Sequence, residues 1–335
     1  MTRKRILTGD TPTGRYHIGH YVGTLENRIK LQDEYETFIV LADMHALTTL
    51  KDEPTEVRQH MIDIVRDQIA AGLDPKKVVF FAESGVPELY ELSVILSMYV
   101  SHNRAMRNPT IKDEIKMKGL GDKFSLGFVN YPILQAADIL SVKGELVPVG
   151  EDQKAHLEQA RELARDMNKI CGEEVFPVPE AKIGRVGKLI GTDGNPKMGK
   201  SLGNTIYLSA SEEDVKKSIM GMYTDPSRIH VTDPGKVEGN PLFVYLDTFG
   251  TEQDTNAITD FKKRYKAGEV GDVEVKKYLI DVMERFLAPM RERSAQYSDN
   301  DILDILREGT QRARAEATET LSQVKKALNF DINNN

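Results

Sequence analysis

The sequence is poor in cysteine and in long apolar runs. A single thiol, Cys171, among 335 residues excludes an intramolecular disulfide, a four-cysteine zinc site and an iron–sulfur cluster held by cysteines, and it suits a reducing compartment. No apolar run is long enough to cross a bilayer. The N-terminal Met-Thr-Arg-Lys-Arg leads into a strand and does not read as a signal peptide. We therefore expect a cytoplasmic protein with no membrane partner.

An excess of positive charge is also missing. The formal net charge is −7 at pH 7, so the overall charge does not indicate a nucleic-acid binder, and we expect no DNA partner. An RNA partner would need a local basic patch. The length is sufficient for two domains with a substantial core.

The most informative stretch is residues 11–20, Thr-Pro-Thr-Gly-Arg-Tyr-His-Ile-Gly-His. It follows the apolar run Arg5-Ile6-Leu7-Thr8 and precedes a helical pattern. A tight loop between a strand and a helix directs backbone N–H groups and the helix dipole at one point, which favours an anion. His17 and His20 lie there one helical turn apart, and Gly19 lets a flat ring approach. A nucleotide fits this arrangement, but a solvated turn or half of a metal site fits the tetrapeptide equally well.

Strand and helix patterns alternate before the chain becomes helical. Apolar strands are predicted at 36–42, 78–81 and 146–149 after the strand at 5–8, and residues 180–204 read as a long glycine-rich functional loop. Residues 87–104 are predicted as one helix, and 109–127 as a short helix with a mobile loop. Beyond this loop the patterns are helical, at 211–222, 241–249, 255–267, 272–297 and 299–328. We predict an α/β fold: a doubly wound parallel-sheet, nucleotide-binding (Rossmann-like) domain followed by an all-α C-terminal domain.

Polar side chains share one face of the apolar helix predicted at 128–140. Tyr131, Gln135 and Asp138 are spaced by four and three residues. A carboxylate on the inward face of such a helix is costly unless it is paired. Asp138 is therefore either a buried cap for a neighbouring backbone or an acceptor for a ligand donor.

Two groups of lysines have alternative interpretations. Lys197-Met-Gly-Lys-Ser-Leu-Gly at 197–203 places two lysines and a serine in the long loop. Lys262-Lys263-Arg264, Lys266 and Lys276-Lys277 concentrate positive charge on the later helices. Either group is a solvated face or a binding surface for phosphates, and composition alone does not decide between them.

The motifs together resemble a known family. His17-Ile-Gly-His20 and Lys197-Met-Gly-Lys-Ser201 resemble the paired signatures of class I aminoacyl-tRNA synthetases. Tyr131-Pro-Ile-Leu-Gln-Ala-Ala-Asp138 and Val147-Pro-Val-Gly-Glu-Asp-Gln153 resemble the tryptophanyl-tRNA synthetases in their compact bacterial form. The resemblance covers nearly the whole chain.

The resemblance implies a reaction and its partners. L-tryptophan and ATP, with Mg²⁺ carried by ATP, give tryptophanyl-adenylate and pyrophosphate; transfer of the aminoacyl group to tRNA(Trp) then releases AMP. A tyrosyl-tRNA synthetase and a non-catalytic paralogue remain alternatives. The family also implies a homodimer. We assign residues 1–205 to the catalytic domain, with 87–145 as an inserted helical segment at the dimer interface. Residues 206–335 are assigned to a helical anticodon-binding domain whose last helix packs back on the catalytic domain.

The resemblance also implies site residues. The catalytic residues are His17, His20, Lys112, Lys197 and Lys200. ATP is held by Thr11, Pro12, Thr13, Gly19, His20, Gly150, Glu151, Asp152, Leu189, Lys197, Met198, Gly199, Lys200 and Ser201. Tryptophan is held by Leu7, His45, Tyr131, Gln135, Asp138, Val147, Val149 and Gln153. No metal site built from protein ligands is expected.

Four of these residues depart from the family pattern and mark a divergent subgroup. Gly199 stands where serine is usual, and Thr11 stands where glutamine is common. Leu7 replaces an aromatic residue, and Gln135 replaces a methionine. No insertion is large enough for an editing domain, and a site built around a hydrogen bond to its substrate needs none.

Overall fold

The computed structural model describes residues 3–48, 50, 54–117, 121, 123–148, 154–182, 189–225, 228, 230 and 232–330. Its centre is a parallel sheet of five strands in the order β3-β2-β1-β4-β5. The strands are β1 Arg5–Asp10, β2 Glu36–Leu41, β3 Val78–Ala82, β4 Leu146–Pro148 and β5 Glu180–Lys182. The predicted doubly wound α/β class is confirmed.

Helices cover both faces of the sheet and form the second half of the described chain. In the first half they are α1 Ile18–His20, α2 Glu26–Leu31, α3 Asp43–Ala46, α4 Val57–Ala71, α5 Pro87–Ser97, α6 His102–Met106, α7 Pro109–Met117, α8 Leu126–Ser141 and α9 Lys154–Cys171. In the second half they are α10 Glu212–Met220, α11 Pro241–Phe249, α12 Thr255–Ala267, α13 Asp272–Ser294 and α14 Asp299–Ala327. A π-helical turn, Tyr21–Leu25, joins α1 to α2. Within the described ranges, no helix is both long and apolar enough to span a membrane.

The strand order fixes where a ligand can bind. The chain builds β1, β2 and β3 outward in one direction, then returns to add β4 on the other side of β1. In open α/β sheets such a reversal leaves a crevice at the carboxyl ends of the two central strands. The loop after Asp10 and the end of β4 therefore border the expected ligand site.

Two sequence-based boundaries are wrong. The helix predicted at 87–104 ends at Ser97, and a second helix, α6, begins at His102. Ser101 is the N-cap of α6, because its hydroxyl accepts a hydrogen bond from the backbone N–H of Arg104. Residues 180–182, predicted as loop, form β5, where Leu146 of β4 aligns with Glu180. Glu-Ala-Lys has low strand propensity, so pairing with β4 rather than local preference makes it a strand.

The last helix packs against the edge of the sheet. The Cα of Gly309 on α14 comes so close to β3 that an added Cβ would lie 1.9 Å from the Phe80 carbonyl oxygen. Beside it, the hydroxyl of Thr310 accepts a hydrogen bond from the Ala82 N–H at 3.0 Å. Helix α14 thereby covers an edge strand that would otherwise expose unpaired backbone groups.

Candidate active site

A cavity of about 510 Å³ lies at the crevice between β1 and β4. Most of the predicted tryptophan-binding residues that the structure describes surround it, together with Thr11. Its lining includes Leu7, Thr11, His45, Tyr131, Gln135, Asp138 and Val147. Apolar side chains such as Leu7 and Val147 form part of the lining, and polar or charged side chains form the rest. This mixture suits a small ligand that has both apolar and polar groups.

Asp138 brings a carboxylate into this cavity from α8. The residue is 4% exposed, and within the described part of the chain its Oδ1 has no hydrogen-bond partner. Burial, followed by the nearby Glu83 and Asp43 carboxyls, raises the pKa of Asp138 well above its usual value. An unpartnered buried acceptor is costly unless a ligand donor meets it.

Glu83 is a second buried carboxyl in the cavity, and sequence reasoning missed it. It follows β3 directly and accepts the His45 backbone N–H at 3.3 Å. Burial and Asp43 raise the pKa of Glu83 to about 7, although hydrogen bonds from the backbone of α3 oppose this shift. The only sequence signal was its place at the carboxyl end of a buried strand.

Tyr131 is held by polar neighbours on other helices. Its hydroxyl donates to Glu114 Oε1 at 3.2 Å and lies 3.1 Å from His156 Nε2. Its ring packs against His45 with centroids 4.7 Å apart. Glu114 and His156 also line the cavity, and neither was predicted, because each belongs to a charged helical pattern that reads as a solvated face.

The two motif histidines share a fixed orientation at the start of the helical segment after β1. The Gly19 N–H donates to Nδ1 of His17, and the His17 N–H donates to Nδ1 of His20, both at 3.1 Å. Because each Nδ1 accepts, each neutral ring carries its proton on Nε2. Burial, the His20 ring and the Lys200 ammonium lower the pKa of His17 to about 3, and burial and Lys200 lower that of His20 to about 4. Both rings are neutral donors at pH 7.

A buried ion pair underlies this loop. Both terminal guanidinium nitrogens of Arg28, Nη1 and Nη2, donate to the Asp10 carboxylate, with Nη2 3.1 Å from Oδ1. Gln68 donates to the same carboxylate at 3.2 Å. Asp10 and Arg28 both line the cavity. With its charge already paired, Arg28 serves to anchor the loop rather than to offer a free cation.

The lysine loop packs onto the histidine loop. Lys200 Nζ donates to the Gly14 carbonyl at 2.7 Å and to the Thr13 carbonyl at 3.3 Å, and burial lowers its pKa. A Cβ added at Gly19 would lie 2.9 Å from Sδ of Met198 and from the His17 ring. The glycine therefore leaves a narrow cradle between the two motifs.

Buried Asn204 organises the lysine loop and was not predicted. Its amide donates to Asp193 Oδ1 at 2.9 Å and to the Lys197 carbonyl at 3.0 Å, while its Oδ1 accepts the Gly199 N–H at 2.9 Å. Lys197 itself is exposed. One asparagine thus sets the path of the segment that carries the second motif.

The other predicted residues lie in different places. Pro12 and Leu189 are buried, Ser201 is exposed, and Lys112 is exposed on α7 away from the cavity lining. Five predicted residues fall outside the described residues: Val149, Gly150, Glu151, Asp152 and Gln153. Among the residues the structure describes, no group of three or more histidine, cysteine, aspartate or glutamate side chains is arranged to hold a metal ion.

The chain is similar to known proteins over almost its whole length. Residues 2–288 match the family described as class I tRNA synthetases (W and Y). The tryptophan–tRNA ligase of Lactococcus lactis is 47% identical over 338 residues, a match that covers 99% of each chain. The Streptococcus pneumoniae ligase is 47% identical over 335 residues and 98% of each chain. A crystal structure of the Campylobacter jejuni tryptophanyl-tRNA synthetase, complexed with ADP and tryptophan, superimposes with a TM-score of 0.87 at 33% identity, covering 97% of this chain and 99% of that one.

Proposed function

The chain belongs to the class I tryptophanyl-tRNA synthetases. We propose which of its residues bind each substrate and which stabilise the charge that develops in the reaction. The enzyme activates L-tryptophan and transfers it to tRNA(Trp); a tyrosine-specific activity is not favoured. Its tryptophan carboxylate is already a sufficient nucleophile toward the α-phosphorus of ATP. Catalysis therefore depends on positioning and on stabilising charge as pyrophosphate leaves.

Asp138 is the proposed acceptor for the indole N–H. The observation that carries this role is its buried Oδ1, which has no hydrogen-bond partner among the described residues and belongs to a residue that lines the cavity. The indole nitrogen is a donor only, so a carboxylate oxygen matches it. Tyr131, with Glu114 beside its hydroxyl, is proposed to hold the α-ammonium group together with Gln153.

The histidines and lysines are proposed to bind the phosphates. His17 and His20 offer two Nε2–H donors at a helix start, where anions are favoured. Lys200 donates hydrogen bonds to the carbonyls of Thr13 and Gly14. When ATP is bound, it would instead contact the leaving pyrophosphate, together with Lys197. Lys112 is proposed to contact the pyrophosphate from the other side. The cradle at Gly19 suits a flat ring such as adenine, with Leu189 and Met198 close to it. The proposed ATP site is completed by Thr11, Pro12, Thr13, Gly199 and Ser201. The ribose is proposed to bind Asp152, together with Gly150 and Glu151. Mg²⁺ is carried to the site by ATP.

The Asp138 assignment is tested by Asp138→Asn in tryptophan-dependent ATP–pyrophosphate exchange. The amide presents an N–H₂ group or a weaker acceptor, so the KM for tryptophan should rise about tenfold or more while the KM for ATP changes little. Asp166→Asn, an exposed carboxylate on α9, is the control. An unchanged KM for tryptophan in Asp138→Asn would remove this role.

The wider organisation is also a proposal. Residues 1–205 form the catalytic domain and 206–335 the anticodon-binding domain of a cytoplasmic homodimer. The dimer surface is proposed at the 87–145 segment, which carries three exposed large apolar side chains: Val94 by 57%, Met98 by 74% and Leu126 by 83%. Isolated exposed apolar residues are ordinary, but such a group marks an interface. Sedimentation of Met98→Glu tests it: a monomer is expected, and an unchanged dimer would place the interface elsewhere.

A further inference from the structure

Two buried carboxyl groups line the tryptophan cavity, although an indole acceptor requires only one. Glu83, in the turn after β3, and Asp138, on α8, both line it, and they are 1% and 4% exposed. Asp138 Oδ1 has no partner within the described chain. Glu83 accepts backbone N–H groups of α3, those of His45 and Met44. Two buried acids from distant parts of the sequence therefore share one pocket.

Among the described residues that line the cavity, Arg28 is the one lysine or arginine, and it does not neutralise the two acids. The ionisable groups that face the pair are Asp43 and His45 on α3 and Tyr90 on α5. Asp43 is itself acidic and accepts from the backbone N–H and hydroxyl of Ser84. Arg28 lines the cavity, but its guanidinium contacts Asp10. Two carboxylates in such a site cannot both ionise without a large cost, so one proton stays with the pair.

We propose that Glu83 is a positioning residue for tryptophan: it keeps a proton beside Asp138, so that the pair carries one negative charge and Asp138 Oδ1 is left to accept the indole N–H. This inference rests on the proposed role of Asp138. In this role Glu83 affects the bound tryptophan only through the Asp138 carboxylate. A doubly ionised pair would draw water into the cavity, and this water would compete with the indole ring for the same space.

The turn that carries Glu83 is clamped on two sides. Behind it, the Ala82 N–H donates to the Thr310 hydroxyl on α14 at 3.0 Å, and the Thr310 Cγ2 lies 2.4 Å from where a Cβ at Gly85 would stand. In front, the Ser84 N–H donates to Asp43 at 2.9 Å. Glu83 is thus fixed in the pocket and cannot move its charge to solvent.

Tryptophan binding should consequently take up a proton in alkaline solution. Burial raises the pKa of Glu83 to about 7, so the free enzyme loses the proton as the pH rises past that value. The complex keeps it. The dissociation constant for tryptophan then increases with pH. For one linked proton, the increase approaches about tenfold for each pH unit.

The test is calorimetric titration of the full-length protein with tryptophan, from pH 6 to 8.5, in buffers of different ionisation enthalpy. Wild-type protein should take up close to one proton at pH 8.5 and little at pH 6. Glu83→Gln replaces the titrating carboxyl group with a neutral amide. Its affinity for tryptophan should therefore be independent of pH after subtraction of the contribution of tryptophan's own amine, which is the same for all variants. Glu91→Gln removes an exposed carboxylate on α5 that pairs with Lys325 of α14, and it should behave as wild type.

Equal proton uptake by wild type and Glu83→Gln would overturn the proposal. If Glu83→Gln does not fold, the wild-type titration still decides, because an absence of uptake at pH 8.5 contradicts a retained proton. Failure of the Asp138 assignment has a different signature. Asp138→Asn would then bind tryptophan normally, whatever the pH dependence of the wild-type protein.

Discussion

The backbone N–H of His17 donates a hydrogen bond to Nδ1 of His20 across 3.1 Å. This contact settles which nitrogen of His20 carries its proton, and the Gly19 N–H does the same for His17. The loop therefore fixes two Nε2–H donors before any ligand arrives. Preorganised donors of this kind are effective because no reorganisation is needed when charge develops.

His20→Ala should lower the rate of adenylate formation by about 10²–10³-fold, the usual effect of losing one preorganised donor to a developing negative charge. The equilibrium affinity for tryptophan should change little. Single-turnover kinetics and tryptophan titration separate the two quantities. His20→Gln, whose amide reaches the Nε2 position, should recover part of the rate. A near wild-type rate in the alanine variant would contradict the phosphate role.

Asp67→Asn should stabilise the protein at pH 8 but not at pH 4. Asp67 accepts the Tyr16 N–H at 2.8 Å, and burial raises its pKa to about 7. Because the folded pKa exceeds the unfolded one, the folded state binds the proton more tightly, and stability falls as the pH rises from about 4 to 7. Asparagine keeps an acceptor oxygen without this cost.

Thermal unfolding at pH 4 and pH 8 checks this sign. The melting temperature of Asp67→Asn relative to wild type should be higher by roughly 2–4 °C at pH 8, the effect of about 1 kcal/mol in a chain of this class. The difference should vanish at pH 4. A constant offset at both pH values would mean that the substitution acts through packing.

Gly199→Ser should restore a hydroxyl to the lysine loop. A Cβ built at Gly199 meets only the Leu202 side chain, at 3.9 Å, and the backbone φ of −166° suits any residue. A hydrogen bond to a charged phosphate contributes about 1.5–3 kcal/mol, so kcat/KM for ATP should increase about tenfold. Gly199→Ala is the control for the added carbon alone. Identical values for the serine and alanine variants would exclude a phosphate contact at this position.

Lys263→Glu should weaken tRNA charging and leave pyrophosphate exchange intact. Lys263 is exposed on α12, whereas neighbouring Lys262 contacts both oxygens of Asp247, at 2.6 and 2.7 Å. Lys276 is buried and donates to the Met222 carbonyl at 2.8 Å, so it is structural. Phosphate contacts supply much of the affinity for RNA and are lost on charge reversal. If both assays fall together, the variant damages folding; if neither does, α12 does not meet the tRNA.

The sequence predicts those parts of the fold that have a strong local signal. Strands β2 and β3 are continuous apolar runs, and Gly72, with a φ of 127° that favours glycine, ends α4. Strand β5 and the break after α5 have no such signal. The first depends on pairing with β4, and the second on a serine cap that a smooth apolar pattern conceals.

The same division holds for the site. Short motifs identified His17, His20 and Lys200, because they lie on contiguous segments. Glu83 and Asn204 escaped prediction, because each acts through partners that only the folded chain brings near: Glu83 through the cavity it shares with Asp138, Asn204 through hydrogen bonds across its loop. Residues of this kind have ordinary neighbours in the sequence and become informative only in three dimensions.

Selectivity for tryptophan over tyrosine is the most direct test of the proposed tryptophan site. The indole N–H lies off the ring axis and can reach Asp138 Oδ1, whereas a smaller tyrosine would leave part of the cavity empty and its hydroxyl poorly placed. Mismatch of a buried polar group and lost packing each cost about 1–3 kcal/mol. The measurement is kcat/KM in ATP–pyrophosphate exchange for the two amino acids with the wild-type protein. The account predicts a value for tryptophan that is higher by roughly several hundredfold or more; a tyrosine value equal to or above it would contradict the proposed site.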